Sequence, residues 1–293
     1  MKNIKLWTAL ITPMKEDGSI HFSDLEKLVH RQENAGNGIL LIGSTGEGLA
    51  LSDSEKHEVV ECVSGMKPDV PLMVGVGGFN LESQIKWIET CNSINVDAYL
   101  LVTPLYAKPG PRGQLHWFKS LMDVAEKPCM LYNIPSRAGT KMPLSVLKEL
   151  ESHPRLWAVK EASGSIDDYL AFRNTTPDVP LYSGDDGLMP FFSAAGSAGL
   201  VSVASNVWPE ATNLFVEKCL AGETNSLFPV WSDAVDALFS ASNPIPAKLL
   251  LKEKGVIETA VLRPPLVPDE LTDLTGLKKA DQEIQNWFQN NNE

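Results

Sequence analysis

The run Gly38-Ile39-Leu40-Leu41-Ile42, followed at once by Gly43-Ser44-Thr45-Gly46-Glu47-Gly48, indicates the fold of this chain. Its apolar residues are contiguous rather than alternating, which is typical of a strand in a parallel sheet that is buried on both faces. Seven further short runs, rich in Val, Ile, Leu and Tyr, have the same character. They cover residues 6–11, 71–76, 98–102, 129–132, 156–159, 181–183 and 199–203.

Segments with helical spacing lie between these runs. After the third run, for example, Leu81, Ile85 and Ile88 fall on one face of a helix. Helix-start signals agree, because Ser52-Asp53-Ser54-Glu55 and Ser23-Asp24-Leu25-Glu26 each place a hydroxyl or carboxylate cap shortly before a glutamate. Eight strand-then-helix units predict an α/β fold of the closed (β/α)8 TIM-barrel type rather than an open doubly wound sheet.

The C-terminal part of the chain has a different pattern. After residue 203 the strand character fades, and residues 210–220, 226–240, 246–254 and 269–288 have helical spacing. These helices exceed what the eighth barrel unit needs. We therefore predict two parts, a barrel with the active site in residues 1–224 and a C-terminal helical extension in residues 225–293.

The composition limits the possible classes of function. The chain has 293 residues, of which 43% are hydrophobic, and this is enough for a large core. With 25 Lys plus Arg against 37 Asp plus Glu, the formal net charge is −12, so we expect no nucleic-acid partner. No run approaches the length of a membrane span, and Met1-Lys2-Asn3-Ile4-Lys5 lacks the apolar stretch of a signal peptide. We expect a cytoplasmic protein without a membrane partner.

Signals for metals and nucleotides are weak. The cysteines and histidines are scattered, which favours buried thiols over disulfides and gives little support to a metal centre. The segment Gly75-Val76-Gly77-Gly78-Phe79-Asn80 lacks the final glycine of a dinucleotide fingerprint. Asp185 and Asp186 are adjacent, so on an extended segment their side chains point in opposite directions, and we expect them to cap the next helix rather than to bind a metal.

Lys160 is the strongest candidate for a catalytic residue. It follows the apolar run Trp157-Ala158-Val159, and the C-terminal ends of all strands in such a barrel meet on one face. The alternative is an ordinary solvent-facing lysine. An amine confined in a dry pocket, however, loses the hydration that stabilises its ammonium form and becomes a nucleophile that forms imines with ketones. That chemistry needs no metal or organic cofactor.

Neighbouring strand ends carry groups that can support an imine. Tyr132 has a phenol that can donate and accept protons, although a tyrosine that only packs its ring is the alternative. Ser44, Thr45 and Tyr106 supply hydroxyls for a proton relay. The Ser44-Thr45 turn can also present backbone N–H groups to a carboxylate, unless its glycines serve only the turn geometry.

Arg137 is a candidate for binding a substrate carboxylate. It follows Tyr132 by five residues in a loop with Pro135 and Gly139. A guanidinium there matches a carboxylate in bidentate fashion, and a plain surface arginine is the alternative.

An ordered set of motifs resembles the dihydrodipicolinate synthase and N-acetylneuraminate lyase family of class I aldolases over nearly the whole chain. The motifs are Thr12-Pro13-Met14, Gly43-Ser44-Thr45-Gly46-Glu47, Tyr132-Asn133-Ile134-Pro135-Ser136-Arg137, Val159-Lys160-Glu161-Ala162, Ser183-Gly184-Asp185-Asp186 and Asn243-Pro244-Ile245-Pro246. The series is highly specific for the fold and for a lysine imine, and less specific for the substrate.

The resemblance implies roles for the candidate residues. Lys160 would form the Schiff base with pyruvate, and Tyr132 would be the general acid and base in a relay with Ser44 and Tyr106. Thr45, with Ser44, would bind the pyruvate carboxylate. Tyr106 would come from the partner subunit of a tight dimer, within a homotetramer that is a dimer of dimers. The remaining substrate-binding positions would be Gly184, Val201 through its carbonyl, and Arg137.

The substrate depends on two features that point in different directions. In the synthases the position of Ser44 is usually threonine, and a serine there is shared with the sialic acid lyases. Arg137 and the Asn243-Pro244-Ile245-Pro246 turn resemble a synthase, because the arginine would bind the carboxylate of L-aspartate-4-semialdehyde. We give Arg137 the greater weight, since a second carboxylate separates this aldehyde from a sugar.

Feedback by lysine is expected to be weak. In lysine-inhibited synthases the effector site uses histidine, glutamate and an aromatic ring. The matching positions here are Asp53, Lys56, Gln84 and Leu105, with only Asn80 retained. A cationic Lys56 near a cationic ligand should weaken its binding.

The leading hypothesis is thus a lyase that condenses pyruvate with L-aspartate-4-semialdehyde to 4-hydroxy-tetrahydrodipicolinate, in lysine and diaminopimelate biosynthesis. One alternative is an aldolase that cleaves N-acetylneuraminate or a 2-keto-3-deoxy sugar acid. The other is a non-catalytic metabolite-binding barrel, because a fold alone does not prove activity.

Overall fold

The computed structural model describes residues 4–224 and 227–292. Within these residues eight parallel strands close into a barrel in sequence order, as predicted. The strands are β1 (Leu6–Ala9), β2 (Gly38–Leu41), β3 (Leu72–Val76), β4 (Ala98–Val102), β5 (Cys129–Asn133), β6 (Leu156–Glu161), β7 (Leu181–Ser183) and β8 (Gly199–Ser202). Each lies at a predicted run, with ends that differ by a few residues.

Helices follow the strands and surround the barrel. They are α1 (Phe22–Asn34), α2 (Asp53–Met66), α3 (Leu81–Asn92), α4 (Pro111–Val124), α5 (Pro135–Ala138), α6 (Leu144–Leu150), α7 (Ile166–Thr175), α8 (Met189–Ala194), α9 (Pro209–Leu220), α10 (Phe228–Leu238), α11 (Ile245–Glu253) and α12 (Thr275–Asn291). None of the described helices is long and apolar enough to cross a membrane.

The predicted helix starts are partly correct. Ser52 and Glu55 form the expected capping box at the start of α2. The other start was wrong, because α1 begins at Phe22 and its capping side chain is that of His21, which accepts a hydrogen bond from the Asp24 backbone N–H. The imidazole nitrogen therefore takes the place that sequence analysis gave to Ser23.

The strands bury apolar side chains in two separate layers, one inside the barrel and one between the barrel and the helices. The strands alternate between them, so that Met130, Tyr132 and Ala158 lie in the interior cluster while Leu131 and Val159 pack outward against the helices. At the bottom, a Cβ on Gly38 would lie 2.6 Å from the ring of Trp7, so only glycine leaves room for this indole. The alternation decides which strand-end side chains reach the barrel interior.

The C-terminal helices pack on the barrel through an aromatic cluster. The ring of Trp231 in α10 stacks on Phe215 of α9 at 4.2 Å and meets Trp287 of α12 edge-on at 5.3 Å. The extension thus shares a core with the last barrel helix. The predicted boundary between residues 224 and 225, and the predicted helix start at residue 226, touch residues that lie outside the described part of the chain.

Candidate active site

Lys160 and Tyr132 lie side by side inside the mouth of the barrel. They are register partners on β6 and β5, and the pleat turns both side chains inward together with Ala158 and Ala162. The lysine is 5% exposed and the tyrosine 7% exposed. The Nζ atom of Lys160 lies 4.1 Å from the centroid of the Tyr132 ring. The amine is therefore withdrawn from bulk solvent and adjacent to the phenol, as the sequence predicts.

The absence of a side chain at Gly184 leaves room for the Lys160 side chain. A Cβ at this position would lie 2.8 Å from Cε of Lys160 and 2.5 Å from Cβ of Ala162. Its backbone N–H donates to the carbonyl of Glu161 at 2.7 Å, which fixes the turn after β7 against β6. A larger residue would push the amine away from the tyrosine.

A cavity of about 330 Å³ opens above the amine. It brings together six of the predicted site residues, namely Ser44, Thr45, Tyr132, Arg137, Lys160 and Gly184. Residues that sequence analysis did not assign to the site also border it, among them Asp185, Phe239 and Asn243. The volume suits a small metabolite.

The Ser44-Thr45 turn is held from the C-terminal extension. Thr45 is buried, and its hydroxyl accepts a hydrogen bond from the side-chain amide of Asn243 at 2.9 Å. Two residues on, Glu47 contacts the ammonium of Lys248 at 2.5 Å, and its second oxygen accepts from the Arg263 backbone N–H at 2.7 Å. The helical extension thus fixes a loop of the barrel mouth.

Arg137 lies at the rim of the cavity in an exposed position. It sits in the single turn α5, which ends at Gly139 with a φ of 73°. Its guanidinium donates to the carbonyl of Asn243 at 3.5 Å, so the same residue contacts both Thr45 and Arg137. No other hydrogen bond joins this guanidinium to residues 4–224 or 227–292, so its remaining donors can reach a carboxylate.

Two predicted site residues do not border the cavity of the described chain. Tyr106 is 85% exposed, has a φ of 65°, and donates its backbone N–H to the carbonyl of Ala138 at 3.2 Å. Val201 is buried in β8 beside Trp7, and Val203 borders the cavity instead. The roles of Tyr106 and Val201 remain predictions.

The prediction for the two adjacent aspartates was wrong. Asp186 is buried and accepts from the backbone N–H groups of Val203 at 3.0 Å and Ala204 at 3.3 Å, so it caps the turn after β8 rather than the helix that follows it in sequence. Asp185 borders the cavity. Burial raises the pKa of the Asp185 carboxyl to about 6, although the nearby Lys160 acts in the opposite direction. The position of Asp185 directly after Gly184 at a strand end was the signal that sequence analysis undervalued.

A second cavity of about 330 Å³ lies beside the first, towards β3 and β4. Among the residues discussed for lysine feedback, Lys56, Gln84 and Leu105 border it. The ammonium of Lys56 pairs with Asp53 at 3.0 Å. Weak inhibition by lysine remains a prediction. Among the described residues, no group of three or more His, Cys, Asp or Glu side chains is placed to hold a metal ion.

Comparisons with known proteins agree with this geometry. The model of the Dihydrodipicolinate synthetase family matches residues 2–284. A protein of Francisella tularensis subsp. novicida, named 4-hydroxy-tetrahydrodipicolinate synthase, is 50% identical over 287 residues, which are 98% of this chain and 97% of that protein.

Solved structures of dihydrodipicolinate synthases are also similar to this chain. The 4-hydroxy-tetrahydrodipicolinate synthase from Methylacidiphilum fumariolicum SolV aligns with a TM-score of 0.93 at 30% identity, over 99% of this chain and 98% of that chain. The chloride-inhibited dihydrodipicolinate synthase from Acinetobacter baumannii, in complex with pyruvate, aligns with a TM-score of 0.90 at 29% identity, over 97% and 99% of the two chains.

The closed barrel, with a buried amine beside a phenol, and the named relatives together define the class of protein, a (β/α)8 lyase. Within that class, this chain belongs to the dihydrodipicolinate synthetase family.

Proposed function

We propose that this chain condenses pyruvate with L-aspartate-4-semialdehyde to 4-hydroxy-tetrahydrodipicolinate, a step of lysine and diaminopimelate biosynthesis. Family membership along nearly the whole chain supports this activity over the cleavage of sugar acids and over a non-catalytic barrel. The observation that carries the mechanism is the buried Lys160 amine 4.1 Å from the Tyr132 ring. A biosynthetic lyase of this kind would act in the cytoplasm.

The first half of the reaction uses the bottom of the cavity. The Lys160 amine attacks the keto carbon of pyruvate, and the Tyr132 phenol moves protons to and from the carbinolamine oxygen until water leaves and the imine forms. Ser44 and Thr45 would hold the pyruvate carboxylate. Loss of a methyl proton then gives the enamine, which attacks the aldehyde of the second substrate.

The second half uses the rim. Arg137 borders the cavity with free guanidinium donors, and we assign to it the carboxylate of L-aspartate-4-semialdehyde. N-acetylneuraminate lacks a second carboxylate at that end. Turnover of aspartate semialdehyde, measured beside N-acetylneuraminate, tests the proposed function directly.

Arg137→Ala is expected to lower kcat/KM for aspartate semialdehyde by roughly 100-fold, because a charge-assisted bidentate contact to the carboxylate is lost. Borohydride trapping of the pyruvate imine should stay at the wild-type level, since this step does not involve the rim. Steady-state kinetics and mass mapping of the trapped adduct measure the two effects. Full synthase activity in this variant would refute the assignment of Arg137.

We further propose a homotetramer, built as a dimer of dimers, in which Tyr106 completes the relay of the partner subunit. The exposure of its ring supports an intersubunit role. Tyr106→Phe and Lys160→Met should each be inactive or impaired alone, whereas mixed oligomers of the two should regain activity because some sites then hold both native residues. If unfolding and reassembling the two variants together yields no more activity than their sum, Tyr106 acts in its own subunit or not at all.

A further inference from the structure

Asp185 occupies a position at the site that the mechanism above leaves unused. Among the described residues that border the cavity, it contributes the one carboxylate. It follows β7, whereas Arg137 follows β5, and the two strands flank β6 with Lys160. An anion and a cation are thus placed on the two sides of the amine that holds the first substrate.

The Asp185 carboxylate is fixed by one hydrogen bond, and its second oxygen has no hydrogen-bond donor among the described residues. One oxygen, Oδ2, accepts a hydrogen bond from the Gly164 backbone N–H at 3.2 Å. The Ser183 hydroxyl accepts from the Asp185 N–H at 3.0 Å and donates to its carbonyl at 2.8 Å, which fixes the backbone. No other hydrogen bond from residues 4–224 or 227–292 reaches this carboxylate, so Oδ1 is free for a cationic ligand group.

The second substrate carries a matching pair of charges. Aspartate semialdehyde has a carboxylate and an ammonium on the same carbon, and Arg137 accounts only for the carboxylate. The ammonium must also lose a proton, because only a neutral amine can attack the imine carbon and close the ring. A carboxylate beside the imine is placed to do both.

We propose that Asp185 binds the ammonium group of aspartate semialdehyde and accepts its proton before ring closure. This inference rests on the proposed function. The proton passes from the ammonium to the Asp185 carboxylate, and the freed lone pair forms a bond to the imine carbon. One of the two protons on the attacking nitrogen then moves to Nζ of Lys160, and the bond between Nζ and the carbon breaks as the lone pair of the attacking nitrogen forms the C=N bond of the ring. The second proton on that nitrogen is lost to water. The proton on Asp185 returns to water after product release.

The electrostatics of the site support this role. Burial keeps the carboxyl a better proton acceptor than an ordinary aspartate, with a pKa raised to about 6. Among the described residues, the charged groups that interact with it are Lys160 and the buried Glu161 on β6 and the adjacent Asp186, while Asp236 of α10 borders the neighbouring groove.

The test compares aspartate semialdehyde with succinate semialdehyde, which has the same aldehyde and carboxylate but no amino group. In Asp185→Asn, kcat/KM for aspartate semialdehyde should fall by about 10²-fold or more, because general bases usually contribute at least this factor. Inhibition by succinate semialdehyde and borohydride trapping of the pyruvate imine should both match the wild type. Asp185→Glu keeps a carboxylate and should recover part of the loss, and Asp236→Asn, which removes an exposed charge nearby, should behave as wild type.

Each other outcome contradicts the inference. Equal weakening of both aldehydes would mean that Asp185 shapes the rim rather than recognising the ammonium. Slower imine trapping would mean that it acts through Lys160, and unchanged turnover would mean that it has no role. Failure of the wild-type protein to turn over aspartate semialdehyde would instead refute the proposed function, which keeps the two failures distinct.

Discussion

Lys160→Met is expected to lower kcat by on the order of 10⁴-fold or more, because it removes the amine that we propose as the nucleophile of the reaction. Methionine has nearly the length of lysine and fits a pocket that is already apolar on the side of Ala158 and Ala162. The fold should therefore survive, and the loss should be chemical. Borohydride reduction in the presence of pyruvate, followed by mass mapping, should show an adduct on Lys160 in the wild type and none in the variant.

A matched control is Lys119→Met, which removes an exposed amine of α4 whose ion-pair partner among the described residues is Asp123. It should keep both the adduct and the activity. An adduct that persists in Lys160→Met would show that another amine forms the imine. Absence of an adduct in the folded wild type would favour the metabolite-binding alternative.

Lys248→Met is expected to lower the free energy of unfolding by about 3–5 kcal/mol, because it leaves the Glu47 carboxylate buried without its counterion. Lys248 is 0% exposed, its ammonium lies 2.5 Å from Oε1 of Glu47, and it donates to the Val261 carbonyl at 2.9 Å. Burial lowers the pKa of this lysine, and the attraction of Glu47 opposes that shift. Urea denaturation followed by circular dichroism measures the loss.

The double variant Glu47→Gln/Lys248→Met should recover much of that loss, since neither buried charge remains and glutamine can still accept from the Arg263 N–H. Lys5→Met is the control, because it breaks the exposed pair with Glu217 and should change stability by less than about 1 kcal/mol. A double variant as unstable as Lys248→Met alone would contradict an electrostatic origin and indicate a packing defect.

The same pair has a consequence for activity. Glu47 lies two residues after Thr45, and Lys248 lies in α11, so the ion pair connects the Ser44-Thr45 turn to the C-terminal extension. The extension therefore helps to form the candidate active site. The helical pattern of its sequence did not predict these contacts with the barrel mouth.

Sequence analysis reached the barrel and its central lysine for a simple physical reason. A strand buried on both faces needs a contiguous apolar run, and the repeat of eight such runs with helical segments leaves few other ways to bury them. The period of two along a strand then places Lys160 on the same face as Ala158 and Ala162, which is the interior of the barrel.

Asp185, Asn243 and Lys248 depended on the tertiary structure. Their sequence neighbours mark turns and a helix, but their roles come from contacts with Gly164, Thr45 and Glu47, which are distant in the chain. For Tyr106 the structure of one chain does not test the predicted role, because within the described chain the side chain is exposed and away from the cavity.

The chain alone thus determined the (β/α)8 barrel, the inward-facing Lys160 and the phenol beside it, since all three follow from local periodicity and strand order. Only the folded structure decided which carboxylate borders the cavity, which side chains hold the Ser44-Thr45 turn, and where the C-terminal helices attach. The reason is that hydrogen bonds and ion pairs between distant segments depend on distances of a few ångströms, which no periodicity along the chain encodes.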